Sequence, residues 1–198
     1  GQNKLDALIE LSNKATEATE RYLKTSVSDR LETPGGGDGI MAQLCMGLVH
    51  AIDPNRTKTF TTQERDGIYR DATYLLYRLL FILYAEARGL LPMERDDYRA
   101  VSLSKLIDEA VELRQSPQKA AERPTSLWTQ LGTLFNAIQY GDEYLGVPAY
   151  NGGLFEDTDK PNLRQVAIEN KFLAEALCEL AFLPDPEAEE PPQRIDYC

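Results

Sequence analysis

The chain has 198 residues, 42% hydrophobic and 27% charged, which is enough for one well-cored domain. Its 32 acidic and 21 basic side chains leave a formal net charge of −11. That balance argues against a compact module whose main task is gripping phosphates, because such modules are basic.

The first predicted element runs from Leu5 to Glu32, where Leu8, Ile9, Ala15, Tyr22, Leu23 and Val27 fall at helical spacing. "TPGGGDG", residues 33–39, breaks it as a loop. This stretch lacks the lysine and Ser/Thr of a phosphate-binding loop and follows a helix, not a strand, so it does not predict a nucleotide site. "IMAQLCMGLVHAI" reads as a short apolar helix stopped by Asp53-Pro54. Thr61 and Glu64 then stand at capping-box spacing. No proline intervenes before Arg88, Gly89 suits the left-handed position after a helix, and Pro92 lies just beyond. The run "YLLYRLLFILYAEA" inside this helix is broken by Arg78 and Glu86 and is short of the roughly 20 residues a bilayer requires. It predicts a buried central helix of a soluble bundle, not a membrane span.

Ser102 or Ser104 starts the next helix, "SKLIDEAVELRQ", and Pro117 to Pro124 reads as a polar connection. In "SLWTQLGTLFNAIQYG" the side chains of Leu127, Trp128, Leu131, Leu134, Phe135 and Ile138 share one face, with Gly141 as the stop. Pro161 opens a single turn, and Asn170 is placed to cap "KFLAEALCELAFL". From Pro184 the composition turns acidic and proline-rich, as a linker does. No run alternates cleanly as a strand would. The pattern predicts an all-α fold: an irregular bundle of six or seven helices around a long central helix at about 62–89. It comprises one domain over 1–183 and a linker over 184–198.

Residues able to carry chemistry are few. His50 is the only histidine, Cys45, Cys178 and Cys198 make no C-x-x-C pair, and a zinc site needs more ligands than these scattered residues supply. The three cysteines read as free thiols of a reducing cytoplasm. Asp157, Glu169 and Lys171 are the residue types of a metal-dependent nuclease in order, but no strand pair presents them. Arg56, Lys58 and Arg65 form a local basic strip. Glu86 falls on the helical wheel beside Leu75, Leu79 and Ile82, away from Arg70, Arg78 and Arg88. A glutamate on the apolar side needs donors or a proton, so Glu86 is predicted to be buried and bonded to an arginine or to backbone N–H groups.

The most unusual stretch is "VPAYNGGLFED", residues 147–157. Gly152 and Gly153 permit positive φ and a sharp reversal, and Asn151 tolerates the left-handed region. Tyr150, Leu154 and Phe155 would then turn inward as anchors. The stretch reads either as a plug closing the bundle or as a docking surface for a neighbouring domain.

"LLYRLLFILYAEARGLLP", a following "SL", "LW" with "LF" seven residues on, "VPAYNGGLF" and a closing "RIDY" form an ordered series over about Leu75 to Tyr197. The series resembles the helical region of type IIG-like restriction–modification proteins, which fuse an endonuclease to an adenine methyltransferase, and of related phage-defence methylases. "YAEARGLLP" and "AYNGGLF" are its most specific parts. The resemblance implies a non-catalytic connector between nuclease and methyltransferase domains of one polypeptide. The parent enzyme would use S-adenosylmethionine and Mg2+, and the segment would hold no cofactor of its own and meet DNA weakly or only through its neighbours. The methyltransferase resemblance begins after "RIDY", so the chain reads as part of a larger cytoplasmic polypeptide. The family's Asn-Pro-Pro-Tyr motif has no counterpart here, and no catalytic residue carries over. The alternatives are a protein-interaction module and a small metal-dependent nuclease.

Overall fold

The computed structural model describes residues 39–150, 152–156, 160–182 and residues 194, 195 and 197. The predicted first helix, most of the glycine loop, Asn151, Asp157, Cys198 and most of the proline-rich segment lie outside the described residues. The fold is all-α. The helices among the described residues are α1 (Ile40–Ile52), α2 (Thr62–Ala87), α3 (Asp96–Arg99), α4 (Leu103–Gln115), α5 (Pro117–Glu122), α6 (Ser126–Tyr140), α7 (Pro161–Gln165) and α8 (Asn170–Ala181). Two of these were not expected. Asp96–Arg99 makes a single turn, and Pro117–Glu122 is helical where a polar connection is predicted, with Pro117 at a first-turn position that lacks a bonded N–H in any case.

α2 spans about 39 Å at 1.5 Å per residue and its ends follow local chemistry. Thr61 accepts from the Glu64 amide while the Glu64 carboxylate accepts from the Thr61 amide, a complete capping box. The Lys58 ammonium, with the Thr61 amide, holds the exposed Glu64 carboxyl down at about 2. At the other end Gly89 adopts φ +64°. The Leu90 amide donates to Ala85 O at 2.8 Å and the Gly89 amide to Glu86 O at 3.1 Å, satisfying two terminal carbonyls.

One apolar core joins all the longer helices. α8 packs against α1, α4, α5 and α6, and α2 packs against α1, α4 and α7. The short α8 therefore shares the centre with the long α2. Leu173, Leu177, Leu180, Leu75, Leu79 and Ile82 are fully buried. Close approach of α1 to α8 depends on Gly47: a β-carbon there would stand 2.6 Å from Ile168 Cγ2 and 3.2 Å from Phe172 Cβ.

The expected cap role of Asn170 is corrected. Asn170 is the first residue of α8, preceded by Glu169, and its side chain does not cap its own helix. Its Oδ1 accepts from the Leu127 amide at 3.1 Å, and its Nδ2 donates to Arg123 O at 2.7 Å and to Ser126 Oγ at 3.0 Å. Thr125, which precedes α6, makes no side-chain cap. Asn170 supplies the missing acceptor from a distant part of the chain and so fastens the start of α6 to the start of α8.

Candidate functional site

Glu86, near the C-terminal end of α2, is 6% exposed, and its carboxylate lies against the start of α4. Its Oε1 accepts from the Leu103 amide at 2.7 Å and from Tyr98 Oη at 3.0 Å. Its Oε2 accepts from the Ser104 amide at 3.0 Å and from Ser104 Oγ at 2.7 Å. Ser102 Oγ takes the Lys105 amide, so the first three amides of α4 all have acceptors. The carboxylate also meets the positive end of the helix dipole. Of the two partner types expected, the backbone amides hold Glu86 and an arginine does not. Burial, then the charge of Glu86, raises the Tyr98 phenol well above its ordinary range.

The stretch around Tyr150 packs against α2, α6 and the turn that follows α2. The Tyr150 amide donates to Ile138 O at 2.8 Å and its Oη to Leu90 O at 3.0 Å. The Phe155 ring is buried, edge-on to Phe81 at 5.6 Å and tilted against Phe135 at 5.7 Å. Phe81 also meets the Tyr150 ring at 5.8 Å. Leu154 is half-buried against the same core. These side chains turn inward, as a plug requires.

The glycine expectation is corrected. Gly152 and Gly153 are exposed, neither has positive φ, and a β-carbon on either would meet nothing within 4 Å. The loop is shaped by buried cations instead. Arg78, 2% exposed, donates from Nε to Leu154 O at 2.7 Å and from a terminal nitrogen to Glu156 O at 3.3 Å. Its guanidinium lies 5.3 Å from the Phe135 ring centre and 5.8 Å from that of Phe155. Lys160, also 2% exposed, donates to Gly153 O at 3.2 Å and to Glu156 O, with its ammonium 4.5 Å from the Tyr74 ring centre. Arg78, read from the sequence as a break in the apolar run lying away from Glu86, is thus buried as Glu86 is. An arginine inside an otherwise apolar run was the available signal, whereas Lys160 has none in its local sequence.

Of the nuclease candidates, Asp157 lies outside the described residues, while Glu169 and Lys171 meet each other beside His50. Glu169 pairs with His50 Nε2 at 3.2 Å and with the Lys171 ammonium at 2.9 Å. His50 also stands edge-on to Phe172, and its buried Nδ1 has no hydrogen-bond partner in the protein, so only one ring nitrogen is satisfied. Among the described residues no group of three or more His, Cys, Asp or Glu side chains is arranged to hold a metal ion. Cys45 is half-buried and Cys178 buried, and burial pushes both thiols up, Cys45 to about 11. In the basic strip, Lys58 is paired with Glu64 and Arg65 donates to Phe60 O and Thr62 Oγ1. No described helix is long and apolar enough to cross a membrane. No family model, no curated protein and no solved structure matches the chain.

Proposed function

We propose that this chain is a non-catalytic helical connector of a restriction–modification enzyme, positioning a nuclease relative to the methyltransferase and DNA-recognition parts of the same polypeptide. One observation carries the reading. The two stretches most specific to the resemblance, "YAEARGLLP" and "AYNGGLF", form one structural unit: Tyr150 bonds Leu90 O, while Glu86 holds the start of α4. Their polar groups are used to fix helices and a loop against one another. A connector needs that stiffness, and such use leaves Glu86 committed to four donors instead of a substrate. The net charge of −11 opposes direct phosphate contact, so DNA is met through the neighbouring domains.

Incubation of the segment with duplex DNA, Mg2+ and S-adenosylmethionine is expected to give neither cleavage nor methyl transfer, and a short duplex is expected not to be retained at physiological salt. The coding sequence downstream of Cys198 gives the sharper test. An adenine-methyltransferase Asn-Pro-Pro-Tyr motif supports the reading, and its absence there overturns it.

A self-contained protein-interaction module is the second reading. Tyr69, Tyr140 and Tyr144 are 59%, 72% and 73% exposed, and exposed tyrosine is enriched where proteins associate. A stable dimer of the segment at micromolar concentration in sedimentation favours this reading.

A further inference from the structure

The last carbonyls of a helix have no partner within it. At the end of α8, two of these carbonyls accept from residues far along the chain. The Ile195 amide donates to Ala181 O at 2.8 Å, and Tyr197 Oη donates to Leu180 O. Phe182 and Arg194 form an antiparallel bridge beside them. Arg194 reaches on to α4, donating to Ser104 O at 3.3 Å and lying 3.8 Å from Asp108 Oδ1. Tyr197 packs against the core, and with Ile195 it borders a pocket also lined by Leu83, Glu86, Met93 and Ser104.

From this geometry we propose that Arg194, Ile195 and Tyr197 form a strap that latches the polypeptide to the C-terminus of α8 and the N-terminus of α4. The latch fixes the direction in which the chain leaves the bundle. Backbone pairing sets the strap's line, the Tyr197 hydroxyl sets its register, and Arg194 sets its tilt toward α4. The described contacts lie at the C-terminus of α8 and the N-terminus of α4, and the strap opens without unfolding the core. Its consequence rests on the connector reading: a latched strap transmits the orientation of the bundle to a following domain, and an open one uncouples them.

Hydrogen exchange of the Ile195 amide tests the strap on the 198-residue chain itself, whatever lies downstream. The amide is expected to exchange more slowly than in a free peptide, and Tyr197→Phe is expected to speed it by about tenfold, the scale of one lost hydrogen bond. Slow-exchanging amides of α2 and α6 should not change, which distinguishes strap opening from unfolding. Exchange of Ile195 at the free-peptide rate in the unaltered chain overturns the proposal, as does a Tyr197→Phe rate equal to the unaltered one. Coupling is read separately in the longer polypeptide: Arg194→Ala with Tyr197→Phe is expected to broaden the distribution of cut positions while leaving methylation of the target base intact. An unchanged distribution, with exchange showing the strap closed in the unaltered chain and open in the variant, overturns the coupling and leaves the latch standing.

Discussion

Glu86 and Arg78 lie about two turns apart on α2, and both tie that helix to distant chain with a buried charge. They do so in opposite ways. Glu86 is an acceptor that gathers the unbonded amides at the start of a regular helix. Arg78, helped by Lys160, is a donor that gathers the carbonyls of a segment with no regular structure. At the first junction the backbone already has its helical form, and the carboxylate stabilises an end that would otherwise lack partners. At the second, cations and aromatic rings impose the loop's path. A buried anion therefore suits a helix start, and buried cations suit an irregular loop, because each supplies what that backbone lacks.

The contrast can be broken most severely at Glu86. Glu86→Leu leaves four donors without their acceptor in or near the core and is expected to destabilise the domain by roughly 4 kcal/mol, measured by urea unfolding. A loss under about 1 kcal/mol would mean that water or another group replaces the carboxylate. On the loop side, Phe155→Ala removes the ring packed between Phe81 and Phe135 and is expected to lower stability by about 3 kcal/mol. If its melting temperature matched that of the unaltered protein, the plug would be wrong and the docking surface would take its place.

A pH series sharpens the acid side. The Tyr98 phenol has its folded pKa raised by burial and by Glu86. Its contribution is fully present below the unfolded value near 10 and declines as pH rises above that, by about 1.4 kcal/mol per pH unit. Tyr98→Phe is expected to flatten that decline in unfolding curves between about pH 10 and 11, and a slope unchanged by the substitution contradicts the assignment. Tyr150→Phe removes one neutral hydrogen bond to Leu90 O and is expected to cost about 1 kcal/mol. The smallest effect is at the glycines. Gly153→Val should change stability by less than about 0.5 kcal/mol, since the site is exposed and has negative φ or extended backbone with open space around it. A loss of several degrees in melting temperature would restore the glycines as shapers of the loop.

Much of the described helical layout was legible along the chain because its causes are local. The Thr61–Glu64 box, Gly89 after α2, Ser102 before α4 and the stops at Asp53 and Gly141 each act within a few residues of the backbone they end. The apolar run around Glu86 likewise implied its burial, since a carboxylate there must find donors. The identity of those donors was not legible, because Tyr98, Leu103 and Ser104 reach Glu86 only when α3 and the start of α4 fold back onto the end of α2.

Asn170 shows the same limit: its position before an apolar run suits a cap, and only the meeting of α6 with α8 decides which helix it serves. The loop was the least legible part. Its glycines suggested a backbone shaped by its own residues, whereas its path is held by Arg78, more than 70 residues earlier, together with Lys160. Sequence by itself determined most ends of the longer described helices and much of their apolar faces, because capping and periodicity act over one or two turns. Tertiary structure decided which buried charge meets which backbone group, because those partners are distant in sequence and become neighbours only through packing.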